Sequence, residues 1–349
     1  MAPTRRIEEL DFARAAAMLA VIAIHVTSTF INAKSAYTLL GMNLAFILNQ
    51  AARFAVPLFI LISGVSLRLR SPIDETPAAF YKKRLFKTGG PYLFWFTAYF
   101  LYNYPGILTP PFHRGWRGAI VFLRSLLRGR AAPHLYFMIV LFQLYLLYPV
   151  VKRYAIKSAG TGVLLSFTVT YGIQQLFLLS RSGMDLIPAF LRPCLWILFP
   201  TWIFYFVLGV SLTYERILLV RQFSQKAAVP ILVSTALLGV LSILESKALN
   251  STDSIRAAWN IYTVLVFFSL FAVWPLIGRL RFLPRMIKFL ADHSMTVYFG
   301  HVFILYFFRS YPLFTTGTAG MLLLYLAVST VSILAAFLID TLHAAILKK

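Results

Sequence analysis

The chain has 349 residues, 60% of them hydrophobic and 16% aromatic, with only 13% charged and a mean hydropathy of +0.77. A soluble domain carries roughly a quarter of its residues charged, so this composition excludes one and reads as an all-α polytopic integral membrane protein, a single transmembrane domain over 1–349. The formal charge of +22 gathers in no basic tail or RNA-binding motif; the cations flank apolar runs as topology signals and headgroup contacts, so membrane lipid, not nucleic acid, is the expected partner.

Runs of about 20 apolar residues predict ten helices, at 9–32, 42–68, 90–106, 133–152, 159–180, 194–213, 228–248, 257–277, 291–311 and 319–346. The first lacks a small-residue cleavage pattern and reads as a retained helix rather than a signal peptide. With the N-terminus in the cytoplasm, 20 of the 33 Lys and Arg fall on the cytoplasmic side and 11 on the other, while Arg14 and Arg53 lie inside spans. That bias predicts an N-in, C-in topology. The basic stretch HRGWRGAIVFLRSLLRGR (113–130) runs against it and reads as an amphipathic helix on the surface or folded back into the protein. The one cysteine, Cys194, excludes an intramolecular disulfide and a Cys-based metal cluster.

In the first helix, LDFARAAAMLAVIAIHV (10–26), Arg14 and His25 are eleven residues apart, which places them on one face about 16 Å apart along the axis. Asp11 lies three residues before Arg14, within ion-pair reach. A neutral histidine two-thirds of the way across the bilayer needs a donor and an acceptor that lipid lacks, so His25 faces the interior, as a functional group or a packing one. Arg14 fits a site cation or an interfacial anchor equally. In RFAVPLFILISGVSL (53–67), Arg53 lies deep in the membrane and requires a partner, either a structural one such as Asp11 or an anionic donor or oxyanion. Pro57 and Gly64 suit a kink and close packing or a pocket wall.

The basic loop FYKKRLFKTGGPYLFW (80–95) offers Arg84 and Lys87 to lipid phosphates or to the phosphates of a cytosolic ligand. HLYFMIVLFQLYLLYP (134–149) opens on His134 near the outer interface, and SMTVYFGHVFIL (294–305) places His301 about mid-span. Tyr136 and Tyr298 read as interfacial anchors or interior hydrogen-bond partners.

Leu10-Asp11, Arg14 and His25, followed in order by Arg53, Pro57, Ser63 and Gly64, by the basic loop ending in proline, and by the His134 and His301 helices, resemble acyltransferase family 3, in the branch that modifies bacterial surface glycans. The chain departs from the family pattern at Lys87, where arginine is usual, and at Tyr136, where tryptophan is commoner. The resemblance implies transfer of an acyl group, acetyl or another such as succinyl, from cytosolic acetyl-CoA or a related acyl-CoA to a hydroxyl of a carbohydrate or lipid-linked glycan, in the bacterial cytoplasmic membrane. It assigns catalysis to His25, Arg53 and Asp11, donor binding to Arg14, Arg84, Lys87 and Ser63, and acceptor binding to His134, Tyr136, Tyr298 and His301, with no metal. The chemistry agrees: attack on a thioester needs a base with a pKa near neutrality and positive charge where the oxyanion develops. Two rivals stand beside it: a transporter or flippase that moves an acyl group or glycan without making a bond, and a scaffold in which polar residues only join helices.

Overall fold

The computed structural model describes residues 6–31, 38–39, 41–71, 75–108, 116–181, 184, 187–188 and 191–346. It is helical almost throughout; the described strands are an antiparallel pair, Thr38–Leu39 with Met42–Asn43. The helices are α1 (Glu8–Ser28), α2 (Leu44–Ala51), α3 (Ala55–Arg70), α4 (Pro77–Arg84), α5 (Gly90–Asn103), α6 (Trp116–Arg128), α7 (Tyr136–Lys157), α8 (Ala159–Arg181), α9 (Ile203–Ser211), α10 (Tyr214–Lys226), α11 (Ala228–Ala248), α12 (Ala257–Ile277), α13 (Leu283–Phe308) and α14 (Gly317–Ile346).

Among the described residues, seven helices are long and apolar enough to cross a membrane, with α2 and α3 counted together, or eight if α9 and α10 form one broken span. The expected count of ten differs for three physical reasons. Over 90–106 the helix α5 has 14 residues, about 21 Å, against a hydrocarbon core of about 30 Å. Over 194–213 two 3-10 turns, Arg192–Ile197 and Phe199–Thr201, precede the nine-residue α9; Pro193 and Pro200, at the start of those turns, supply no N–H for an α-helical ladder. Over 291–311 the helix is longer than expected, with 26 residues, and Asp292, His293, Ser294, Thr296 and His301 interrupt its apolar run.

Two prolines shape the functional stretches in the same way. Pro57 cannot donate to the carbonyl of Arg53, and the span 44–70 breaks at a 3-10 turn, Ala52–Phe54, that carries Arg53. Pro91 cannot donate to the carbonyl of Lys87, and the backbone loosens into a π turn over Leu85–Gly89.

The chain divides into two compact units, one built from the residues up to Ser63 with those from Leu212 onward, the other from Gly64–Ser211. In the first, α1 packs against α2, α12, α13 and α14. Buried Ala13, Ala15, Ala17 and Ala20 let these helices approach closely. Phe12 of α1 meets Trp274 of α12 with ring centroids 5.8 Å apart. Glu9, 2% exposed, takes both Nε and Nη2 of Arg221, at 2.6 and 2.8 Å, which ties α1 to α10.

In the second unit α7 packs against α4, α8 and α9. Gly64 explains the close approach of α3 to α9: a Cβ there would lie 2.5 Å from the carbonyl oxygen of Phe206 in α9. The stretch 113–130 contains the expected amphipathic helix, α6, docked by Phe122, whose ring meets Phe96 and Phe100 of α5 edge-on. Trp116, Ile120, Leu123 and Leu127 form one exposed apolar stripe, and the exposed Arg117, Arg124 and Arg128 form another about a quarter-turn round.

Candidate functional site

In the first unit the polar residues of α1 sort into two clusters at opposite ends of the helix. At the N-terminal end Asp11, 5% exposed, accepts hydrogen bonds from Arg6 and from Nη1 of Arg14 at 3.4 Å. Arg6 also bonds Asp292 of α13, at 2.7 and 3.3 Å. Burial works against the Arg6 charge, but its bonds to Asp11 and Asp292 outweigh that and hold its pKa above the usual value. Two arginines and two carboxylates therefore form a balanced network that joins α1 to α13.

Toward the C-terminal end, His25 meets His301 of α13, with ring centroids 5.2 Å apart. His301 is fully buried, and its Nδ1 lies 2.7 Å from the carbonyl oxygen of Tyr298 and 3.2 Å from that of Val297. A carbonyl only accepts, so Nδ1 carries a hydrogen, and in the neutral ring the lone pair from which imidazole accepts a proton is then on Nε2. The Tyr298 ring is 6.1 Å from that of His301. Arg53, on its 3-10 turn, is within electrostatic reach of His25. Its guanidinium donates to Oδ1 of Asn49 and, at 3.4 Å, to Oγ of Ser254. Ser63 follows ten residues after Arg53. Asn43 bonds Ile31, just past the end of α1, and Asn49 bonds Ile24 within it, so the chain from Asn43 onward runs antiparallel to α1 and Ser63 lies back toward the end that bears Arg14.

The structure thus brings together His25, His301, Tyr298 and Arg53, and separately Asp11 with Arg14. Fourteen residues, about 21 Å of helix, separate Asp11 from His25.

The remaining predicted residues belong to the second unit. Arg84 stacks its guanidinium over Phe80 and Tyr145, 5.4 and 5.8 Å from the ring centroids. Phe80 in turn stacks on Tyr148, whose hydroxyl donates to Leu67 O at 3.0 Å. Lys87 is exposed on the π turn; partial burial, then the like charges of Arg84, Arg70 and Lys83, hold its pKa below the usual lysine value. Like charges so gathered raise the local positive potential. His134, buried, sits edge-on to Tyr99 at 5.1 Å, and Tyr136 to Trp196 at 4.6 Å.

Sequence reasoning missed Asn49, Gln50 and Arg256. Arg256 counts as an exterior loop cation in the topology argument, yet it is 3% exposed, bonded to Ser246 Oγ at 2.6 Å and near Glu245 and Asp253. The adjacent amides in LAFILNQAARF were the available signal, because two amides inside an apolar run are costly without interior partners. Among the described residues, no three His, Cys, Asp or Glu side chains converge to hold a metal ion.

The family model described as an acyltransferase domain matches residues 7–341. A protein of Bacillus subtilis (strain 168), YfiQ, provisionally described as a membrane-bound acyltransferase, is 24% identical over 306 residues, which cover 86% of this chain and 81% of that protein. No solved structure gives a significant match.

Proposed function

The chain belongs to the acyltransferase 3 family, and from that premise we propose that it transfers an acyl group, acetyl foremost, from a cytosolic acyl-CoA to a hydroxyl of a surface glycan or its lipid-linked precursor in a bacterial cytoplasmic membrane. The observation that carries the reading is the pairing of His25 with His301 inside the bundle, within electrostatic reach of Arg53. A neutral imidazole accepts the proton of the acceptor hydroxyl as its oxygen attacks the thioester carbonyl. The guanidinium of Arg53 stabilises the oxyanion of the tetrahedral intermediate. Collapse breaks the C–S bond, and the imidazolium returns its proton to the departing CoA thiolate.

His25 takes the role of base. His301, with its hydrogen fixed on Nδ1, offers Nε2 to the acceptor hydroxyl or to His25, and Tyr298 lines the same region. Arg14, about 16 Å along α1 from His25, suits the phosphate end of a pantetheine arm, with Ser63 along the way. Asp11 acts through Arg14 and not at the reacting atoms. In the second unit, taken by itself, Arg84 and Lys87 are cations of the kind that phosphates bind, and His134 and Tyr136 an aromatic and hydrogen-bonding surface of the kind that sugars bind.

The test is label transfer from [14C]acetyl-CoA to acceptors in membranes that contain the full chain, with free CoA measured in parallel. Wild-type membranes should incorporate label and release CoA, and His25→Ala should abolish both while the protein stays monodisperse. Label movement without CoA release would favour a transporter, and full activity of His25→Ala would remove His25 from the mechanism.

A further inference from the structure

We propose that Asn49 is a positioning residue for acyl transfer: it hangs the Arg53 guanidinium from the turn of α1 that carries His25. The inference rests on the reading of His25 and Arg53 given above. Asn49 is fully buried on α2, one helical turn before Arg53. Its Nδ2 lies 3.0 Å from the carbonyl oxygen of Ile24, 3.0 Å from Thr27 Oγ1 and 3.1 Å from Ser28 Oγ. Its Oδ1 accepts from Arg53 Nη2 and from Gln50 Nε2, the latter at 3.1 Å.

These partners assign the amide without ambiguity. The reverse orientation would set NH2 against a guanidinium and a carbonyl oxygen against a carbonyl oxygen. The α1 turn is prepared for the contact. Thr27 and Ser28 spend their own hydroxyl hydrogens on the carbonyls of Ala23 and Ile24, each at 2.6 Å, so their oxygens are available to accept from Asn49. Ile24 is the residue before His25, so the anchor lies within one turn of the base.

The second amide separates two cations. Gln50 donates to Asn49 and turns its Oε1 toward Arg256 Nη2, 3.5 Å away. Arg256 is tied to α11 through Ser246 and has Glu245 and Asp253 close by. The amide of Asn49 orients Arg53 without neutralising it, which a carboxylate at the same position would do. For a cation that must meet a developing oxyanion, that distinction matters.

The experiment is a double-mutant cycle on Asn49→Ala and Arg53→Ala, with [14C]acetyl-CoA label transfer in membranes normalised to the amount of monodisperse protein. Asn49→Ala should lower the maximal rate roughly 10- to 100-fold while the KM for acetyl-CoA stays within about threefold, since displacement of a catalytic group by about 1 Å has that effect. In the Arg53→Ala background Asn49→Ala should add less than about a twofold change. Thr27→Val, which removes one anchor of Asn49 and keeps the side-chain shape, should slow wild type roughly threefold or more and leave Arg53→Ala unchanged. This variant decides the matter if Asn49→Ala does not fold. Wild-type rates in Asn49→Ala or Thr27→Val, or a defect that multiplies that of Arg53→Ala, would overturn the proposal. Wild-type rates in Arg53→Ala itself would instead overturn the catalytic reading of Arg53, and the proposal with it.

Discussion

Asp11→Asn separates an electrostatic role from a chemical one. Asp11 holds Arg6 and sits 3.4 Å from Arg14, and Arg14 is the cation proposed for the CoA phosphates. Two unit charges at that distance attract by about 5 kcal/mol at an effective dielectric of 20. With the Arg14 side chain 20% exposed and its partner 8%, water reduces the net value to about 0.5–1 kcal/mol. Removing the carboxylate charge therefore frees Arg14 for a phosphate and should lower the KM for acetyl-CoA about two- to fivefold. The maximal rate should stay within about threefold, because roughly 21 Å of helix separates residue 11 from His25. Stability should fall by about 1–2 kcal/mol from the weakened bond to Arg6, read as a lower melting temperature in detergent. Label transfer measured against acetyl-CoA concentration gives KM and maximal rate together. A loss of rate of about 100-fold or more in folded protein would place Asp11 at the reacting atoms and refute this reasoning.

Gly64→Ala should destabilise the protein by about 1–3 kcal/mol, because the atoms a Cβ would meet, at 2.5, 2.9 and 3.1 Å, are all backbone of α9 and cannot swing aside; an unchanged melting temperature would contradict the packing. Lys87, its pKa depressed by burial and by Arg84, Arg70 and Lys83, is deprotonated at a lower pH than an ordinary lysine and should react faster with an amine-selective acylating reagent near pH 9. Bound CoA phosphates favour the ammonium form, so CoA should slow that labelling, and about 0.5 M salt should weaken the protection; labelling indifferent to CoA would remove Lys87 from the donor site.

Sequence legibility followed physical simplicity. The expected bounds 228–248 and 257–277 are those of α11 and α12, where an unbroken apolar run ends at clear polar punctuation. The run 194–213 is equally apolar, but hydropathy does not register a missing N–H, and Pro193 and Pro200 reduce the helix to nine residues. At the site, Asp11 and Arg14 are three residues apart, so their pairing follows from helical geometry alone. Arg6 with Asp292 and His25 with His301 are contacts between the first helix and one near the end of the chain, and composition contains nothing that selects such a partner. Arg256 was misread because charge was counted by position along the chain, whereas its burial depends on acceptors from α2 and α11.

The distribution of charge suggests how labour is divided along the chain. In the first unit three carboxylates of α1 and α13 are paired with arginines within the fold: Glu9 with Arg221, Asp11 with Arg6 and Arg14, and Asp292 with Arg6. Such pairs join α1 to α10 and α13 at the end of α1 away from His25. The stretch 76–184 instead holds thirteen Lys and Arg and no Asp or Glu. Its counter-charge has to come from outside that stretch, and in a membrane the abundant anions are phosphates. Lys82, Lys83, Arg84 and Lys87 suit the phosphates of a nucleotide-bearing donor, and Arg117, Arg124 and Arg128, beside an apolar stripe on the exposed surface of α6, suit lipid headgroups. The +22 formal charge then has more than an orienting role: the stretch that carries cations and no carboxylates of its own is the one whose anions the proposed reaction and the bilayer would supply.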